Sequence, residues 1–131
     1  MKPLQLLLTS FLAVMAAADG GFMSQCVEYE LYISGDQIGI FHALCGVNSQ
    51  PTHIDLNLCL ANVNGMLWWA DKGGAMGSCT CVSRRFKTEI IDCQCLDDTG
   101  DTRAASMDLN YQIQYDEDKH SLVCFNNYGS A

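Results

Sequence analysis

His53 stands two residues from Asp55, Asp97 and Asp98 are adjacent carboxylates, and Cys79-x-Cys81 with Cys93-x-Cys95 gathers four thiols into one short stretch. Each pattern has a chemistry to offer: acid–base work for the imidazole and the paired carboxylates, metal binding for the sulfurs. None sits in the frame that chemistry needs. The chain has no Gly-x-Ser-x-Gly, no His-Glu-x-x-His and no phosphate-binding glycine loop. A one-residue gap between cysteines is also tighter than the roughly two to four of structural zinc sites. The sequence therefore predicts no enzyme, no metal and no cofactor. What it does supply is Asn, Asp, Gln and Ser on loops, whose donors and acceptors suit a hydroxyl-rich ligand in a shallow cleft.

Those loops must be held by something. The 131 residues carry a formal charge of −8, which argues against a nucleic-acid partner whose phosphates need neutralising. A hydrophobic content of 49% is enough for a core, and 17% charged residues is too few for a disordered acidic tail. Eight cysteines in so short a chain point to an oxidising compartment and a disulfide framework. The N-terminus agrees: Lys2, the apolar stretch Leu4 to Ala17 and the small-residue site Ala16-Ala17-Ala18 read as a secretory signal peptide, residues 1–18. The stretch is short for a bilayer about 30 Å thick, so no membrane insertion is expected. Cleavage after Ala18 would leave six basic against 15 acidic residues in a secreted, extracellular protein, residues 19–131.

The chain repeats itself. Ile54-Asp55-Leu56-Asn57 returns as Met107-Asp108-Leu109-Asn110, and Cys26, Leu31, Phe41 and Cys45 run in the order of Cys81, Phe86, Ile91 and Cys95. The copies span about residues 22–69 and 75–125, each closing on a short apolar strand, Met66 to Trp69 and Leu122 to Phe125. Val27, Tyr29, Leu31 and Ile33 alternate with Glu28, Glu30 and Tyr32 as in a half-buried strand, and Ser34-Gly35-Asp36 supplies a turn. The second hairpin is expected over Val82 to Lys87 and Glu89 to Cys95. Asp55 and Asp108 are placed to cap one-turn helices, and Asn64-Gly65 marks a tight turn.

Ser24-Gln25-Cys26, the two Asp-Leu-Asn motifs, the run Asn62-Val63-Asn64-Gly65-Met66-Leu67-Trp68-Trp69 and the paired Cys-hairpin-Cys units resemble the cyanovirin-N homology family of lectins, over roughly Phe22 to Phe125. The resemblance implies an all-β fold of two pseudo-symmetric tandem repeats. Each is a three-stranded sheet plus a hairpin, with strands exchanged between repeats, short helical turns and disulfide reinforcement. It further implies carbohydrate binding, with mannose-rich or related glycans as partners and a potential site at each end. A monomer is expected, with a domain-swapped dimer as the other form.

Carried over residue by residue, one site would use Asn62, Asn64, the loop from Asp71 to Ser78, and Asp97, Asp98 and Thr99. The other would use Ser24, Gln25, Gly46, Asn48, Tyr115 and Glu117. The chain departs from the family where Leu96-Asp97-Asp98 follows Cys95, and where the second repeat has Asp116-Glu117-Asp118-Lys119-His120 in place of an Asn-x-Asp-Gly turn. The resemblance also implies disulfides Cys26–Cys45 and Cys81–Cys95. Strand exchange would then join Cys59 to Cys124 and leave Cys79 for Cys93, while the nested pairing of Cys79 with Cys95 and Cys81 with Cys93 stays open. Plainer roles compete throughout. Asp55, Asn57, Asp108 and Asn110 suit capping, Asn62 and Asn64 suit turn formation, Trp68 and Trp69 suit packing, and Asp116 to Asp118 suit a solvated loop. Since a fold does not fix a function, the alternative to a lectin is a secreted cysteine-rich protein-interaction module.

Overall fold

A computed structural model describes residues 20–32 and 38–130. The segment read as a signal peptide, Ile33, and the turn expected at Ser34-Gly35-Asp36 lie outside the described residues. The first repeat opens with an antiparallel sheet of strands β1 (Cys26–Leu31), β2 (Ile40–Cys45) and β3 (Gln50–Asp55), in that order. A hairpin of β4 (Leu60–Val63) and β5 (Met66–Trp69) follows. The second repeat copies the plan: β6 (Cys79–Arg84), β7 (Lys87–Leu96) and β8 (Thr102–Asp108) form the sheet. Then β9 (Gln114–Asp116) and β10 (Ser121–Cys124) form the hairpin, with β11 (Asn127–Tyr128) added at its edge. Strands and single 3-10 turns make up the regular structure of the described residues, so the chain is all-β.

The Asp-Leu-Asn motifs act as their residue types dictate. Asp55 Oδ1 accepts from the Asn57 N–H at 2.9 Å, and Asp108 Oδ1 accepts from the Asn110 N–H at 2.9 Å. Each carboxylate thereby caps one 3-10 turn, Leu56–Leu58 or Leu109–Tyr111. In the β4–β5 turn Asn64 and Gly65 have φ of 51° and 87°, the left-handed pair that a two-residue hairpin requires.

Two strand expectations need correction. The alternation along β1 breaks at a bulge between Val27 and Glu30, where Glu28 takes φ of 52°, and Val27 turns out to solvent. The arms of the second hairpin begin and end elsewhere than the periodicity placed them, because the turn falls at Arg85-Phe86 and the register shifts between Ser83 and Arg84. Phe86 is consequently not the counterpart of buried Leu31; it is 89% exposed. Ile91 and Phe41 do correspond, both fully buried.

The core is shared by the repeats. Phe22 meets Tyr29 and Phe41 edge-on at centroid distances of 5.0 and 5.3 Å, and Leu56, Leu60, Ile91, Leu109, Ile113 and Leu122 are fully buried in the same cluster. Hairpins are exchanged: β5 packs on β8 of the second repeat, and β10 packs on β3 of the first. The Leu122 N–H donates to Thr52 Oγ1 at 3.2 Å within that second contact. Trp69 packs on the core, while Trp68 is exposed. The C-terminus is latched to the first repeat by reciprocal backbone bonds between His53 and Ser130, at 2.7 and 2.8 Å.

Disulfides follow register. Cys26 faces Cys45, Cys79 faces Cys95 and Cys81 faces Cys93, and each facing pair is bonded. The pairings Cys81–Cys95 and Cys79–Cys93 are therefore replaced by the nested one, since partners must stand opposite across a ladder to be bridged. Cys59–Cys124 crosses between the repeats, and no described cysteine is free, which leaves no thiolate for a metal.

Loop length ranks these bonds. Cys59–Cys124 spans 65 residues against 12 for Cys81–Cys93. Removing the pair at 59 and 124 should cost about 4 kcal/mol and the pair at 81 and 93 about 3 kcal/mol in the chain-entropy account, read from denaturant unfolding of the two double-alanine variants. The latch gives a second test. A Cβ at Gly129 would collide with the His53 carbonyl oxygen, so Gly129→Ala should lose about 2 kcal/mol, and an unchanged thermal midpoint would contradict the latch.

Candidate functional site

At one end of the molecule the exchanged β4–β5 hairpin meets the second sheet, and the residues expected there are largely bonded to one another. Asn62 Nδ2 donates to Ser78 Oγ at 2.7 Å and to the Leu96 carbonyl at 2.9 Å, while Asn62 Oδ1 accepts from the Gly65 N–H at 2.8 Å. Asn64 Oδ1 accepts from the Asp98 N–H at 2.9 Å. Asp71 is exposed, but its carboxylate takes the Asn127 amide at 2.7 Å and ties the loop to the C-terminal segment. Arg103 lies across the turn, where a Cβ on Gly65 would approach its Cδ to 2.7 Å.

Asp97 is the most committed of the group. Its Oδ1 accepts from Thr99 Oγ1 at 2.6 Å, the Thr99 N–H at 2.9 Å and the Asp101 N–H at 3.0 Å, while Oδ2 takes Arg103 Nε at 2.9 Å. It is 9% exposed. The Thr99 hydroxyl first, and the Arg103 guanidinium second, hold its carboxyl well below the usual range. A carboxylate so saturated organises its loop and has nothing left for a ligand. Asp98 and Thr99 are exposed at the rim.

The opposite end is open. Gly46, Asn48, Tyr115 and Glu117 do converge, lining a cleft of about 350 Å³ together with Val47, Gln50, Asp118 and His120. Two turns build it, the one joining β2 to β3 and the one joining β9 to β10. Gly46, at φ of 80°, lies against the Tyr115 ring, and its N–H donates to the Gln25 carbonyl at 2.9 Å. Gln25 thus supports the cleft from behind, whereas the Ser24 hydroxyl donates to the Gly21 carbonyl at 3.0 Å; neither residue lines the cleft. The Tyr115 hydroxyl stands 3.5 Å from His120 Nδ1, too long for a strong bond, so both groups keep capacity for a ligand.

Gln50 and His120 were not among the expected residues. The sequence did hold a signal for His120, since it ends the acidic run. Asp116 Oδ1 accepts from the N–H groups of Asp118 and Lys119, at 2.9 and 3.1 Å, and folds that run into a compact turn with Glu117, Asp118 and His120 beside Asn48. Asp116 is half-buried at the end of β9, residues 117–120 are solvent-exposed, and Glu117, Asp118 and His120 are also a wall of the cleft. Among the described residues no cluster of three or more His, Cys, Asp or Glu could hold a metal ion.

Acid should expose the difference between organising and open carboxylates. Asp92 is held at about 2 by Arg84 and then Ser106, and Asp97 is likewise depressed. A carboxyl whose folded value lies below its unfolded one, about 3.9, stabilises fully above that unfolded value and loses the contribution as pH falls through the folded one. Asp97→Asn should therefore lower the thermal midpoint by more at pH 7 than at pH 2. An equal gap at both pH values would sink this account.

The CVNH domain profile matches residues 22–119. Among solved structures, a MoCVNH3 variant in complex with (N-GlcNAc)4 has a TM-score of 0.67 at 13% identity, covering 80% of this chain and 97% of that one. GzCVNH of Gibberella zeae has 0.63 at 21%, covering 80% and 97%. Microvirin, in a complex with mannobiose, has 0.58 at 19%, covering 75% and 94%. No protein of curated function matches the sequence. With the profile covering most of the chain and these folds agreeing, the chain belongs to the CVNH family.

Proposed function

We propose that this chain is a secreted lectin that takes glycan, without metal, in the cleft between the β2–β3 and β9–β10 turns. The observation that carries the reading is the contrast between the two ends. In the cleft, the amides of Asn48 and Gln50, the Tyr115 hydroxyl, the Glu117 carboxylate and the His120 imidazole converge on one hollow. At the other end Asn62, Ser78 and Asp97 are used up by internal bonds. Sugar hydroxyls both donate and accept, so a mixed set of amide, hydroxyl and carboxylate groups fits them, and the Tyr115 ring offers an apolar wall. CVNH is a lectin family, and two of its members named above were solved with saccharides, (N-GlcNAc)4 and mannobiose. Secretion is supported by the signal-peptide pattern in residues 1–18 and by four disulfides.

The competing reading, a protein-interaction module, draws on one feature: Val63, Met66 and Trp68 form an exposed apolar strip on the β4–β5 hairpin. Titration calorimetry of the mature chain with mannobiose and with (N-GlcNAc)4, in EDTA, separates the two. The lectin reading expects heat from one of them with a stoichiometry near one. It further expects Asn48→Ala or Glu117→Gln to weaken binding about tenfold at unchanged thermal midpoint. Loss of binding with EDTA, or a stoichiometry near two, would contradict it, and a glycan array without any signal would favour the module.

A further inference from the structure

The most exposed aromatic ring of the described residues stands at the tip of the β6–β7 hairpin. Phe86 has φ of 68°, a conformation that Gly or Asn adopts with little strain and a bulky side chain does not. The chain accepts strained backbone there and a large apolar surface in water besides. Arg84, Arg85 and Lys87 flank Phe86 along the chain, all exposed, and they are three of the seven Lys and Arg residues in a sequence of net charge −8.

The tip is built to stay in place. Two disulfides, Cys79–Cys95 and Cys81–Cys93, staple the strands below it. Above them Arg84 grips Asp92 through Nε at 3.0 Å and Nη2 at 2.6 Å, so its charge is answered locally. Ser83 Oγ accepts from the Leu31 N–H at 2.7 Å and donates to the Thr88 carbonyl at 3.1 Å, fixing the hairpin against the first sheet. Arg85 and Lys87 remain without carboxylate partners among the described residues, and the Arg85 guanidinium lies 5.0 Å from the Phe86 ring centroid.

A rigid convex point, apolar at its end and cationic around its base, is complementary to a layer that is apolar beneath and anionic on its surface. We propose that the β6–β7 tip docks the protein on anionic lipid surfaces. Phe86 enters the boundary between headgroups and acyl chains, and Arg85 and Lys87 meet the phosphates. The contact is peripheral. At physiological salt, charges further than about 8 Å from the headgroups are screened, so the acidic remainder of the molecule does little to oppose it. An acidic polysaccharide would answer the two cations, but Arg85 already covers one face of the ring, and a hydrated chain would leave the rest of Phe86 in water.

The test needs no glycan and is thus independent of the lectin reading. The mature chain is sedimented with vesicles of phosphatidylcholine alone or with 30% phosphatidylglycerol added, at low and high salt, and separately passed over heparin. Binding to the anionic vesicles only, weakened by salt, is expected. The double variant Arg85→Glu, Lys87→Glu should lose at least about tenfold in partitioning. Phe86→Gly is the decisive variant: it relieves the left-handed strain, so its thermal midpoint should hold or rise while partitioning falls. Equal binding to both vesicle types, no binding to either, retention on heparin with vesicles unbound, or partitioning indifferent to these substitutions would each overturn the proposal.

Discussion

Each repeat of this protein lays its hairpin on the sheet of the other, and the core exists only because both do so. A three-stranded sheet with one apolar face cannot hide that face alone, and the short hairpins cannot stand by themselves in water. Packing β5 on β8 and β10 on β3 covers both faces at once and builds one cluster from Phe22 to Leu122. The polar joints at these seams are specific: Thr52 to Leu122 on one side, Asn62 to Ser78 and Leu96 on the other. Cys59–Cys124 makes the exchange covalent.

That arrangement also decides what polar side chains are free to do. Where the first hairpin lands, Asn62 and Asn64 bond to Ser78, Leu96 and Asp98 of the second repeat, beside a loop that Asp97 ties to Thr99, Asp101 and Arg103. Where the second hairpin lands, its turn stands beside the β2–β3 turn with little bonding across the gap, and the gap is the cleft. Pseudo-symmetry of the backbone thus coexists with chemical asymmetry of the ends. The same residue types, Asn and Asp, serve as mortar at one end and as lining or rim at the other.

Much of this was legible in the chain. The repeated Asp-Leu-Asn motif located both helical turns because a short carboxylate can satisfy a backbone N–H two residues on, a strictly local event. Asn64-Gly65 announced its turn through another local effect, the ease with which Asn and Gly take positive φ. The bulges were not legible. One extra residue on β1 at Val27–Glu30, or three on β7 across from Ser83–Arg84, changes which side chains face inward without changing the composition, so Phe86 aligned with Leu31 without sharing its burial, and the pairing of Cys79, Cys81, Cys93 and Cys95 stayed open. For the candidate site residues, the sequence shows where loops fall and not which side chains stay free. Asp97 and Glu117 are both acidic loop residues in the sequence, and only the partners that folding brings, Arg103 to one and none of comparable kind to the other, separate the organiser from the carboxylate left open to the cleft.

The Cys59–Cys124 bond has a bearing on how the molecule is made. A chain leaving the ribosome presents Cys59 long before Cys124, and β3 before the β10 that must cover it. The three hairpin bonds can close as soon as their own strands have emerged, because their partners are 12 to 19 residues apart. Throughout that interval Cys59 is an unpaired thiol beside an uncovered sheet face. The first half of this protein therefore waits, apolar and reactive, for β10, and its maturation depends on surroundings that form disulfides yet hold one thiol open without letting it pair with the wrong partner.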